Sequence, residues 1–195
     1  MGKVIAEFTM SLDGFIAGPN DEIGPLFRWY SSGDTEFSMG NGPTFTIARQ
    51  SADLLRENWG RLGAIVTGRR DFEVSEAWGG QPPFPVPTYI VTHSAPQEWL
   101  KPGSPFIFIT EGVPHAIAQA QQAAGDKVVG VGGTTITQQC LQAGLLDEIH
   151  IHLAPILLGE GIRLFDRLGP SAIDLVKLRV VDTPAVTHIQ YQVAK

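Results

Sequence analysis

The chain has 195 residues, 43% hydrophobic and 17% charged, with a net charge of -6 at pH 7 and one cysteine. That length makes a single domain, 1–195, the expectation, able to bury about 70% of its unfolded surface. The acidic balance, with no Lys/Arg-rich stretch to offset it, argues against a nucleic-acid partner. A lone Cys140 excludes an intrachain disulfide framework and fits a reducing, cytoplasmic setting. Neither a membrane span nor secretion is expected, since no apolar run nears the roughly 18 residues a spanning helix needs and no signal pattern opens the chain.

In chain order, residues 3–10 read as a strand. The Gly/Pro/Asn-bearing segment 18–43 is too long for a plain connection and is a candidate active-site loop. A helix over 48–62 puts Ala48, Ala52, Leu55 and Trp59 on one face. Residues 64–67 form a short apolar strand, and a second helix opens at Arg69 and has ended by Trp78-Gly79-Gly80. Pro82, Pro83, Pro85 and Pro87 stiffen the loop before a strand at 88–92. Another strand covers 106–110, and a helix over 115–124 begins after Pro114, as proline at a first turn should. The apolar strand 128–131 meets Gly132-Gly133, a helix follows and ends at Gly144, and 147–158 is the next strand. The tail, 173–193, alternates apolar and polar around Asp182-Thr183-Pro184, the pattern of an antiparallel hairpin. Short apolar strands alternating with helices predict an α/β fold: a mixed, mostly parallel central sheet flanked by helices, with an antiparallel edge.

The run 128–144 carries the most chemistry. A strand that turns through glycine into a helix start aims backbone N–H groups and the positive dipole end at one point, a seat for phosphate. Glycine allows both the tight turn and the close approach of a ligand. Gly130-Val131-Gly132 is not completed to a dinucleotide fingerprint, and Asp147 stands at the wrong end of the next strand for a ribose. No Gly-Lys-Ser/Thr makes it a P-loop, and the same glycines would also suit simple packing of a helix on a sheet. Residues 64–70 repeat the logic, now with Arg69 and Arg70 at the helix start, where their repulsion from the dipole suggests a bound anion. A solvated surface turn is the alternative. A third apolar strand ends at Thr92-His93-Ser94. Three polar strand ends would line the edge at which open α/β sheets bind ligands.

Other candidates are thinner. His150 and His152 share a strand face without a third ligand at metal spacing, so they read as paired strand histidines and no metal is expected. Cys140 falls on the apolar stripe of its helix and should be buried and inert. Ser11, Ser31 and Ser51 lack an elbow motif, which disfavours nucleophilic hydrolysis. Trp29, Trp59 and Trp78 read as core or lid aromatics. Asp13-Gly14 is first a turn signal and second a proton donor.

Taken together, Ser11-Leu12-Asp13-Gly14-Phe15-Ile16-Ala17, Gly68-Arg69-Arg70, Val91-Thr92-His93-Ser94, Val131-Gly132-Gly133-Thr134-Thr135, Leu145-Leu146-Asp147-Glu148 and the run from Ala154-Pro155 to Gly159-Glu160-Gly161 resemble the dihydrofolate reductase family. Within it they are most similar to the riboflavin-biosynthesis reductase branch, over nearly the whole chain. The resemblance implies a single-domain dihydrofolate reductase-like fold with NADPH as cofactor. Gly68, Arg69 and Arg70 would hold the adenosine 2′-phosphate side, helped by Thr92, His93 and Ser94. Gly132, Gly133, Thr134 and Thr135 would hold the pyrophosphate, and Ile16 would lie by the nicotinamide. The chain departs from the pattern twice. It has no carboxylate over 46–52, where dihydrofolate reductases carry the acid of their first helix, and Asp53 comes only later. Gly130 and Val131 stand where riboflavin-pathway reductases often carry a glutamate.

The expected activity is NADPH-dependent reduction of a small C=N or C=O compound, a riboflavin-pathway pyrimidine or a pterin-like molecule. A cofactor-binding sensor without turnover is the alternative; a phosphotransferase is disfavoured because no acidic pair for magnesium sits at these strand ends. Asp13 is the expected acid, placed near Ile16, with partial burial beneath 18–43 raising its pKa. The apolar tail residues Val176, Leu178, Val180, Ile189, Tyr191 and Val193 predict a homodimer, since a lone edge should not leave such a surface exposed.

Overall fold

The structure, a computed structural model, describes residues 2–38, 42–166 and 168–195. In chain order come β1 (Val4–Ser11), β2 (Phe15–Ala17), β3 (Thr35–Ser38), β4 (Thr44–Ile47), α1 (Arg49–Gly60), β5 (Leu62–Gly68), α2 (Arg69–Val74), β6 (Thr88–Val91) and β7 (Phe106–Ile109). Then follow α3 (Val113–Ala124), β8 (Val128–Val131), α4 (Thr134–Gln142), β9 (Glu148–Ala154), β10 (Ile162–Arg163), β11 (Leu175–Thr183) and β12 (Val186–Val193). An eight-stranded sheet runs β11-β12-β9-β1-β8-β5-β6-β7. Its pairs from β1 through β8, β5 and β6 to β7 are parallel, and β9-β12-β11 are antiparallel. This is the mixed, mostly parallel α/β sheet with an antiparallel C-terminal hairpin that the pattern predicts.

The chain divides into two compact units, 1–6 with 61–147 and 7–60 with 148–195. In the first, β8 is a continuous apolar run because its neighbours on the sheet and the flanking helices leave almost none of it in water, with Val129 at 0% exposure. Helix α3 buries Val113, Ala116, Ile117, Ala120 and Ala124, a helical stripe. It ends at Gly125, whose φ of 63° suits a glycine C-cap. Asp147 ties the unit at β1: its carboxylate accepts the Val4 N–H at 2.8 Å and its own N–H reaches the Val4 carbonyl at 2.9 Å. The second helix stops earlier than its sequence suggests. The Ser75 hydroxyl donates to the carbonyls of Asp71 (2.7 Å) and Phe72 (3.2 Å), and Glu76, Ala77 and Trp78 turn left-handed with φ of 50°, 53° and 49°. Phe72 beneath that turn packs with Ala77, Ile90 and Phe106.

In the second unit, α1 places Ala52 and Leu55 in a cluster with Trp29, Phe37, Ile47 and Val186. Segment 18–43, expected to be more than a plain connection, contains a 3₁₀ turn at Leu26–Ser31 and strand β3, which pairs with β4. The strand expected over 147–158 ends at Ala154, because Pro155 has no N–H to give a ladder and the Ile156 N–H turns back to the Ala154 carbonyl at 2.8 Å. Short β10 then pairs antiparallel with β2. Edge strand β11 slips register between Lys177 and Arg179, a bulge of the kind that blunts sheet edges.

Candidate functional site

In the first unit the chemistry gathers at the carboxyl ends of β8, β5 and β6. The Gly132 N–H is spent on the Val66 carbonyl at 2.9 Å. A Cβ on Gly132 would lie 2.9 Å from the Thr67 hydroxyl and 3.2 Å from Asp71 Oδ2, too close for any side chain. Gly133 has φ 76° and caps α4 without a side-chain hydrogen bond. Here both glycines are required, one by space and one by backbone conformation. The result is a closely packed glycine turn at a helix start, with Thr134 and Thr135 in the first turn of the helix, where phosphate-binding turns place their N–H groups.

Arg69 and the 92–94 loop are brought together through contacts within the protein. Arg69 donates Nε–H to Glu73 at 2.7 Å and an Nη1–H to the Ser94 carbonyl at 3.2 Å. The Thr92 hydroxyl donates to the same carbonyl at 2.9 Å. A carboxylate one helical turn away thus offsets part of the repulsion that suggested a bound anion at Arg69. His93 and Ser94 are exposed. Asp71, one residue beyond the arginine pair, escaped the sequence reading. It accepts the Thr67 hydroxyl at 2.6 Å, and burial holds its carboxyl above the ordinary range against the lowering effect of that hydrogen bond.

In the second unit Asp13 is an acceptor three times over. The Ser11 hydroxyl donates to it at 2.6 Å, the Gly159 N–H at 2.7 Å and the Leu158 N–H at 3.2 Å. The Ser11 hydrogen bond and then these two N–H groups outweigh a modest desolvation and draw its carboxyl down to about 2. The expected burial-raised acid is therefore not found: the group lies where donors reach it and water does too. Around it the chain is laced to 156–164, with the Leu12 N–H on the Ile156 carbonyl, the Leu164 N–H on the Gly14 carbonyl and Arg163 over the Phe15 ring at 4.4 Å. A Cβ on Gly161, whose φ is 140°, would run into the Ala17 carbonyl. Ile16 is half-buried in β2 between buried Phe15 and Ala17.

A buried charged cluster lies farther along β1. Glu7 accepts from Trp59 Nε1 and His152 Nε2 on one oxygen, each at 3.0 Å, and from Asn58 Nδ2 on the other at 3.0 Å. His150 stands between two carboxylates, Glu7 at 3.4 Å and Glu148 at 2.9 Å. The cluster continues as a chain whose donors and acceptors depend on the imidazole tautomers: His152 Nδ1 lies 2.7 Å from His188 Nδ1, and His188 Nε2 2.8 Å from the Ser51 hydroxyl. Burial would raise Glu7, but the hydrogen bonds of His150 and His152 carry it well below the carboxylate range. Burial lowers His150, yet Glu7 and Glu148 leave it net raised; His188 falls to about 3 through burial and the neighbouring His152. The His-x-His face was legible in sequence. Its partners on β1, α1 and β12 were not, although a glutamate inside an otherwise apolar strand was a usable signal.

Cys140 is fully buried, and burial pushes its thiol up to about 12, which makes it inert. Among the described residues no helix is long and apolar enough to cross a membrane.

A family model of the RibD C-terminal domain matches residues 2–188. The uncharacterized protein YyaP of Bacillus subtilis (strain 168) is 24% identical over 163 residues, 84% of this chain and 80% of that protein. Among solved structures, one described as a riboflavin biosynthesis protein, from Shewanella sp. PV-4, superposes with a TM-score of 0.74 at 20% identity, covering 100% of both chains. Dihydrofolate reductase from Enterococcus faecalis, complexed with NADP(H), gives a TM-score of 0.60 at 14% identity over 100% of this chain and 98% of that one.

Proposed function

The chain belongs to the RibD C-terminal domain family, and we propose that it is a single NADPH-dependent reductase domain acting on a small C=N or C=O compound, of the pyrimidine type handled in riboflavin synthesis or pterin-like. The observation that carries this reading is the Gly132-Gly133 turn, where a Cβ on Gly132 would crowd Thr67 and Asp71 and Gly133, at φ 76°, caps α4 without a side-chain hydrogen bond. Gly132, Gly133, Thr134 and Thr135 would hold the pyrophosphate; Gly68, Arg69, Arg70, Thr92, His93 and Ser94 the 2′-phosphate side; Ile16 the nicotinamide. Bound NADPH supplies a hydride. The protein's share is to orient the reactants, exclude water and settle one proton on the reduced atom.

Two measurements test the reading. Steady NADPH oxidation over a panel of small acceptors separates an enzyme from a sensor, which would bind without turnover. Tryptophan fluorescence titration should show NADPH bound more tightly than NADH. Arg69 and Arg70 at the start of α2 are assigned that preference together. A phosphate–arginine pair is worth about 1.5–3 kcal/mol, on the order of 10- to 150-fold in affinity. Arg70→Ala should therefore weaken NADPH much more than NADH, and equal dissociation constants in the unmodified protein would remove the 2′-phosphate assignment.

The same reading includes a homodimer. On β11, Val176, Leu178 and Val180 are 54%, 47% and 49% exposed, an apolar edge uncovered among the described residues. Light scattering at micromolar concentration should give about twice the 21.1 kDa chain mass; a value matching one chain refutes pairing.

A further inference from the structure

The phosphate cradle has a carboxylate in its wall. Asp71 sits in the first turn of α2, with Oδ2 3.2 Å from the point a Cβ on Gly132 would occupy and Cβ 3.9 Å from the same point on Gly133. Ionised, it would set a full negative charge beside an anion on this turn, in a place with little water to screen it. Arg69 on the same helix is held by Glu73 and the Ser94 carbonyl, and Arg70, the next residue, is the other cation of this helix. The elements packed against α2 are β5, β6, β7, the turn Glu76–Gly80 and the turn Gln97–Trp99, whose ionisable side chains are Tyr89, Glu76 and Glu98. Helix α4 adds the buried Cys140.

We infer that Asp71 takes up a proton from water when the cofactor pyrophosphate seats on the Gly132-Gly133 turn, and then stands as a hydrogen-bond donor to it instead of a repelling charge. The inference rests on the NADPH reading above. Geometry prepares the exchange: the Thr67 hydroxyl already occupies Oδ2 at 2.6 Å, which leaves Oδ1 to carry the proton. Burial supports it, since the carboxyl is held above its ordinary value before any phosphate arrives. A phosphate raises it further. By linkage the NADPH dissociation constant must then climb with pH above the carboxyl's value in the free protein, by up to about tenfold per pH unit.

The test is NADPH titration of the full chain, unmodified and Asp71→Asn, across neutral to mildly alkaline pH, with calorimetry in two buffers of different ionisation heat. The 2′-phosphate titrates near pH ~6 on its own, so the readout is the ratio of the two proteins' dissociation constants. Asparagine keeps an acceptor for Thr67 and cannot ionise. The ratio should widen with pH in favour of Asp71→Asn, and only the unmodified protein should take up a proton on binding. NADPH binding by Asp71→Asn alone also supports the inference. A ratio constant with pH, or equal proton uptake by both, overturns it and leaves the NADPH reading standing. If neither protein binds NADPH, the NADPH reading falls and takes the inference with it. Should Asp71→Asn fail to fold, Thr67→Val serves: it removes the hydroxyl that lowers the carboxyl, so the alkaline loss of affinity should move to higher pH, and an unmoved limb overturns the idea.

Discussion

Glu7→Gln should cost about 3–5 kcal/mol of folding stability, the range for breaking a buried ion pair by removing one partner. The glutamate side chain is 19% exposed, with His150 and His152 at 4% and 5%, so little of their interaction is screened. A glutamine would turn an amide N–H₂ toward Asn58, Trp59 or His152, all of which donate to Glu7 in the native cluster. His150 would keep only Glu148 as a counter-ion.

The pH dependence of that penalty has a definite sign. Glu7 is depressed in the folded state, so its contribution is present above the ordinary value of 4.5 and is lost as pH falls through the folded one. His150 is raised, so its contribution is complete below 6.5 and is lost as pH rises through the folded value. The difference between the two proteins should therefore peak between 4.5 and 6.5 and shrink on both sides. His188, lowered to about 3, adds a separate acid limb starting below 6.5, which both proteins should share. Urea midpoints taken inside and outside the window decide the matter. A penalty that is flat with pH would mean that glutamine only packs badly, and that the ionic cluster does not hold this half of the chain.

How far all this could be read from sequence depended on distance along the chain. Strand β8, helix α4 and the β11-β12 hairpin were legible because each is an apolar pattern bounded by its own glycine, proline or polar turn. Strands β2 and β10 were not, since two- and three-residue pieces have no periodicity and exist only by pairing with each other across the chain. The glycine cradle was visible as a motif, whereas its hazard was not: Asp71 matters through its closeness to Gly132, sixty-one positions on, which no local pattern encodes. The histidine cluster shows the same limit. His188 meets His152 because β12 pairs with β9 in that register, and Glu7 joins from β1. Asp13 was singled out as a turn residue, and its charge state was misjudged: its first donor is the Ser11 hydroxyl two residues before it, and Leu158 and Gly159 add theirs from 145 and 146 residues away.

Asp13→Asn should lower turnover on a confirmed substrate by about 10²-fold, the scale of loss from a small displacement of reacting groups, while the NADPH dissociation constant stays nearly unchanged. A carboxyl drawn down to about 2 is ionised at neutral pH and has no proton to give. What it does instead is hold. Its oxygens accept the N–H groups of Leu158 and Gly159, and through them the 156–164 segment is fastened along the turn that leads into β2 and Ile16. Asparagine would preserve the Asp-Gly turn itself, but its amide offers only one acceptor oxygen for donors that now use two. We therefore assign Asp13 a positioning role, with the proton reaching the reduced atom from another group or from water. The two roles part company in the pH profile of kcat. Loss of a positioning residue lowers the whole curve and keeps its shape, and loss of the acid removes the limb that the acid sets. A variant whose alkaline limb disappears would restore Asp13 as donor, and one that keeps most of its activity at every pH would reduce it to a cap on its own turn.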